Sequence, residues 1–223
     1  SNEILGDPEG YGRIEYAYYL MARDCGIDMM ESRLLEENNR THFLTQRFDR
    51  NGTEKLHMQT LCSIAHMDYN DTSSYSYEQA FEVMRQLRLP YPDAEKLFRR
   101  MCFNGVTRNQ DDHTKNISFL MTTSGSWRLS PAYDLTFACN PRSRWTCRHQ
   151  MSINGKRENI DRNDLLSVAR QMNIKKPGQI IDQSLDAASK WDRYAELAGV
   201  PGKQARAIGN EITRSMESCH DRL

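Results

Sequence analysis

The sequence has no net charge to offer a polyanion: 30 basic residues balance 30 acidic ones, and the pI is about 7.0. A protein that holds nucleic acid through a broad positive field is cationic, so direct nucleic-acid binding is not expected. No run approaches the roughly 20 consecutive apolar residues that a membrane span requires, and the mean hydropathy is −0.77. The opening SNEILGDPEG has neither a basic head nor an apolar centre, so no secretory signal is read there. There is no Cys-x-x-Cys pair. The six cysteines stand singly at 25, 62, 102, 139, 147 and 219, a pattern that suits buried thiols in a reducing cytoplasm. Cys147 with His149, and Cys219 with His220, are two-ligand fragments without a second pair, which makes zinc a poor reading. Internal repeats and low-complexity stretches are also missing. A cytoplasmic chain remains, and its 223 residues suffice for one large domain or two small ones.

Hydrophobic periodicity then sets the element order. Residues 13–25 carry Ile14, Tyr18, Met21 and Cys25 at helical spacing, and Gly26 closes the helix. Two strand-like runs, 31–37 and 41–49, flank Asn-Asn-Arg as a hairpin. From 56 to about 110 the pattern reads as helical, with 58–67 one element, 75–89 a second stopped by Pro90, and a third opened by Pro92. In that third helix Ala94, Leu97, Phe98, Met101 and Cys102 form one apolar stripe. Short strands at 117–121 and 127–130 surround the turn TTSGS. Helices return from 161, where Asp161 is the expected N-cap, and Pro201 starts the last one. The class is α+β, predominantly helical. The Arg-, Asn- and Ser-rich stretch 138–160 is expected to be an irregular, mobile loop.

The chemistry concentrates at 109–118, Asn-Gln-Asp-Asp-His-Thr-Lys-Asn-Ile-Ser, between a helix end and a strand start. Packing so many polar groups into a short connection is costly unless they meet solvent, a ligand or a metal. Asp111 and Asn116 are five residues apart, the spacing at which a kinase catalytic loop places its base and a magnesium-holding Asn. Lys115 lies between them, suited to neutralising phosphoryl charge. The hairpin 117–130 runs out and back, so Asp134 should return beside Asn116, and an Asn with an Asp suits a hard oxygen-liganded cation. Asp112 is an alternative base, and Asp111 leads it on spacing alone. Phe48 and Tyr133, taken singly, read as core aromatics. Arg142, Arg144, Arg148, Lys156 and Arg157 read as a solvated loop, or as a local basic patch for an acidic partner or substrate.

Asp111-Asp112-His113-Thr114-Lys115-Asn116 resembles the D-x-H-x-K-N catalytic loop of HipA-family serine/threonine kinases. Pro131-Ala132-Tyr133-Asp134-Leu135 resembles their P-x-Y-D-[LI] metal segment, Gln46 to Arg50 their hinge stretch, and His149 to Lys156 a segment that follows the metal Asp. The resemblance spans 13–160 in order. It implies a protein-kinase-like C-terminal lobe with a β-hairpin hinge, using ATP and Mg2+ to phosphorylate a protein. It implies Asp111 as base, Asn116 and Asp134 as metal ligands, His113 and Lys115 near the phosphates, and Phe48 and Asp49 near adenine and ribose. Gln46 stands where this family often has Glu, a change that a backbone contact to adenine tolerates; Tyr133 joins the cofactor-binding set. The family's phosphate loop and ATP-binding Lys have no room in residues 1–12. Residues 1–50 are therefore expected to be the remnant of a small lobe plus hinge, and 51–223 the helical catalytic lobe. The chain is then a fragment, or its small lobe comes from another protein. The alternatives are a non-catalytic module that assembles with such a protein or with a DNA-binding antitoxin, and a helical domain whose acidic loop binds only a cation.

Overall fold

Helix α1 (Tyr11–Asp24) buries Ile14, Ala17, Tyr18 and Met21 on one face, and Gly26, at φ 77°, ends it with the left-handed residue that glycine adopts without steric cost. The computed structural model describes residues 10–38, 40–68, 70–71 and 74–219. Strands β1 (Ser32–Glu37) and β2 (Arg40–Thr45) pair antiparallel from Ser32↔Thr45 to Glu37↔Arg40. The expected hairpin is present but shorter: β2 stops at Thr45, and 46–49 leave the sheet. Two-residue strands β3 (Arg50–Asn51) and β4 (Glu54–Lys55) close around Gly52.

One expected element differs. Residues 58–67 are not a single helix, because His57–Thr60 form strand β5 and only Leu61–Ile64 turn as α2. The competing partner is β6 (Ser118–Met121), which lies antiparallel to β5 with Met58 opposite Leu120. Thr60 then caps α2 by accepting the Ser63 N–H. With β7 (Trp127–Leu129) the order β5-β6-β7 makes a three-stranded sheet.

Helix α3 (Tyr77–Gln86) starts in a reciprocal capping box between Ser76 and Gln79. Helix α4 (Tyr91–Thr107) is central. Leu97, Phe98, Met101 and Cys102 are fully buried, as the stripe requires, and α4 packs against α3, α6 (Pro177–Ser189), α8 (Gly202–Cys219) and β7. Asp161 caps α5 (Arg162–Gln171) as expected, sharing a capping box with Asp164. Helix α7 (Trp191–Ala198) packs on α1, where Trp191 meets the Tyr18 ring edge-on at 5.6 Å. No helix of the described residues is long and apolar enough to cross a membrane.

The segment 138–160 is irregular, but not loose throughout. His149, Gln150, Met151, Ser152 and Ile153 are buried, and Arg157 donates to the carbonyls of Tyr75, His149 and Gln150.

Candidate active site

Helix α4 ends at Arg108, whose φ of 60° turns the chain away, and the loop 109–117 runs from there to β6. Two elements grip it. The N-terminus of α2 gives the Leu61 N–H to the Ile117 carbonyl and the Cys62 N–H to the Thr114 carbonyl. On the other side Asn109 bridges Ala138, and the Ala138 carbonyl accepts the Gln110 N–H at 3.0 Å.

Within this loop the two neighbouring aspartates have opposite environments. Asp112 is 3% exposed. Its Oδ2 accepts from the Tyr77 hydroxyl at 3.0 Å and lies 2.9 Å from His149 Nδ1, and its Oδ1 accepts the Gln150 N–H at 2.8 Å. Both oxygens of that carboxylate are therefore engaged by protein groups, and Asp112 also lines the cavity described below. Asp111 is half-buried, and its Oδ1 accepts from Gln150 Nε2 at 2.6 Å. Burial pushes its carboxyl above the ordinary range; nearby His113 opposes this, and the charges of Asp134 and Asp112 add to it.

The Asn116 amide is oriented, since its Nδ2 donates to the Asp111 carbonyl at 3.0 Å and leaves the amide oxygen available. The hairpin return brings Asp134 to it: Asn116, Asp134, His113 and Tyr133 line one cavity of about 10 Å3. Asp111 stands outside that lining. Asp134 is exposed and has a φ of 56°, a left-handed backbone uncommon for a residue with a side chain. Among the described residues no group of three His, Cys, Asp or Glu could hold a metal. His220, half of one of the two Cys/His pairs, lies outside the described residues. A carboxylate and an amide oxygen are hard donors of the kind that magnesium takes.

The hinge residues are placed unevenly. The Phe48 ring lies 5.4 Å from the Tyr133 ring, so segment 46–50 adjoins segment 131–135. Asp49 is bound by Arg47 and Arg50, and the hydrogen bonds from Arg47 hold its carboxyl below the usual range. Gln46 is exposed, and its N–H donates to the Glu31 carbonyl. The Tyr133 hydroxyl bonds the Lys115 carbonyl and Ser118 Oγ, each at 2.5 Å, tying the metal segment to the loop. Lys115 and His113 are half-buried, and His113 Nδ1 has no hydrogen-bond partner among the described residues.

Sequence reasoning missed Gln150, Tyr77 and Arg100. Arg100, on α4, is buried and donates to the Ser130 carbonyl just before the metal segment, and burial pushes its guanidinium down to about 10. Residues 149–156 were conspicuous only through family resemblance, and nothing in the pattern marks Tyr77 or Arg100 as neighbours of the loop.

The fold is a predominantly helical, protein-kinase-like lobe. The profile of the HipA-like C-terminal domain matches residues 3–219, and the chain belongs to that family. Curated protein sequences include no match. Among solved structures, HipA of the Shewanella oneidensis MR-1 toxin–antitoxin system, in complex with HipB and operator DNA, is similar with a TM-score of 0.72 at 18% identity. The match covers 92% of this chain and 54% of that one, so the chain spans about half of that toxin's length. The Helicobacter pylori proinflammatory kinase CtkA is similar with a TM-score of 0.54 at 12% identity, over 94% of this chain and 88% of that one.

Proposed function

We propose that this chain is the catalytic-lobe part of an ATP- and Mg2+-dependent serine/threonine protein kinase of the HipA type, acting in the cytoplasm on a protein substrate. The observation that carries the reading is the pairing of Asn116, its amide oxygen left available, with the exposed Asp134 carboxylate on one cavity. Bound ATP with magnesium supplies the phosphoryl group and neutralises its charge. Asn116 and Asp134 would hold the ion, His113 and Lys115 would sit at the phosphates, and Gln46, Phe48, Asp49 and Tyr133 would frame the nucleoside. Asp111 takes the proton of the acceptor hydroxyl at Oδ2, because Gln150 occupies Oδ1 and fixes the carboxylate plane. Its raised carboxyl helps, since a stronger base accepts that proton more readily.

Titration calorimetry with ATP and magnesium tests this. The parent is expected to bind ATP with magnesium, Asp134→Asn to lose most of that binding, and Asp111→Asn to keep it while abolishing transfer. Asp134→Asn binding like the parent would overturn the metal assignment. The second reading is a non-catalytic kinase-like module that assembles with a separate small-lobe protein. By analogy with the HipA–HipB assembly, a DNA-binding antitoxin is a proposed partner as well. Adding a small lobe in trans separates the readings, because a non-catalytic module gains no transfer activity.

A further inference from the structure

The segment 139–148 is an arc whose two stems are both fastened to the loop that carries Asp111. At its start Ala138 bonds both Arg108 and Gln110 through backbone groups. At its end His149 reaches Asp112 and Gln150 reaches Asp111. The arc is internally braced: the Asn140 N–H donates to the Thr146 carbonyl and the Ser143 N–H to the Asn140 carbonyl. The Arg142 N–H donates to Asn140 Oδ1, and the Trp145 N–H to Ser143 Oγ. These bonds brace the arc on its own backbone and side chains.

What it displays is uneven for so neutral a chain. Residues 139–148 contain three arginines and no acid. Arg142, Arg144 and Arg148 are exposed, and among the described residues none of them is in an ion pair. Trp145 is 39% exposed, with the Arg144 guanidinium 5.1 Å over its ring. Exposed arginines outside any ion pair among the described residues, on an arc whose stems are tied to the Asp111 loop, match carboxylates flanking an acceptor hydroxyl.

We propose that the arc 140–148 docks an acidic stretch of the phospho-acceptor protein, next to the serine or threonine presented to Asp111. This rests on the kinase reading. A protein partner is favoured over nucleic acid because the positive charge is local and the whole chain is neutral.

The test uses two labelled synthetic peptides, each with one central serine, differing only in flanking Asp and Glu against Asn and Gln. Fluorescence anisotropy is expected to give the acidic peptide about tenfold tighter binding at low salt, a gap that closes near about 0.5 M salt. The combined variant Arg142→Ala, Arg144→Ala, Arg148→Ala is expected to lose that preference while keeping its melting temperature and its ATP–magnesium binding. Equal binding of both peptides by the parent overturns the proposal. So does a single-stranded RNA that binds the parent, loses binding in the triple variant and finds no acidic-peptide counterpart. If the parent prefers the acidic peptide yet binds no ATP with magnesium, the kinase reading falls and the docking surface stands. The reverse result removes the docking surface alone.

Discussion

Replacing Asp112 by Ala should cost about 3–5 kcal/mol of stability, the range for removing one member of a buried charged network. Three donors converge on this carboxylate: the Tyr77 hydroxyl, His149 Nδ1 and the Gln150 N–H, at 3.0, 2.9 and 2.8 Å. Hydrogen bonds to a charged group contribute about 1.5–3 kcal/mol each, so a simple sum overshoots. The Tyr77 hydroxyl keeps its bond from Asn104 Nδ2, which limits the loss. Domains of this kind are stable by about 5–15 kcal/mol, so Asp112→Ala should fold marginally. Asp112→Asn should cost only about 1–2 kcal/mol, since its amide oxygen can still accept the Gln150 N–H. Urea denaturation at neutral pH, with an unchanged slope and a lowered midpoint, reads both effects. A loss below about 1 kcal/mol for Asp112→Ala would refute a structural role for this carboxylate. Asp112→Asn should also retain phosphoryl transfer in any assembly where Asp111→Asn abolishes it.

Asp111 should behave in the opposite way. Its folded carboxyl titrates above the unfolded value of about 3.9, because burial disfavours its charge. The native state therefore holds the proton to higher pH, and stability falls as pH rises through that window. Asp111→Asn should raise the melting temperature at neutral pH, and the gain should vanish below the ordinary carboxylate range; a gain unchanged by acid would contradict this. Tyr133→Phe removes the hydroxyl shared with the Lys115 carbonyl and Ser118 and should cost about 1–2 kcal/mol. Thermal melts check it, and no change would mean the hydroxyl ties nothing. Gly12→Ala would put a β-carbon 2.6 Å from the Thr41 carbonyl oxygen and 3.0 Å from the Phe43 nitrogen. Those are backbone atoms that cannot swing aside, so a loss of about 1–3 kcal/mol is expected by denaturation, and a neutral variant would show that β2 can shift from α1.

Local rules made part of this molecule readable. The α4 stripe, the Asp161 cap and the Gly26 stop follow from residues within a turn or two of each other. Hairpin geometry reached further, because out-and-back strands return the chain to its start and so set Asp134 beside Asn116. It failed where the deciding partner is remote. Met58, Leu61, Cys62 and Ala65 have helical spacing, yet β6, about 60 residues later, draws residues 57–60 into a sheet. The two aspartates sharpen the point. Asp111 and Asp112 are identical in type and adjacent, so no periodicity separates them. Tyr77 lies 35 residues before Asp112, and His149 and Gln150 lie 37 and 38 after it. Only the fold brings those donors to one carboxylate and gives the other a single hydrogen bond, from Gln150 to Oδ1, among the described residues. A base needs an uncommitted lone pair, and that property belongs to the packing around a residue rather than to its spacing.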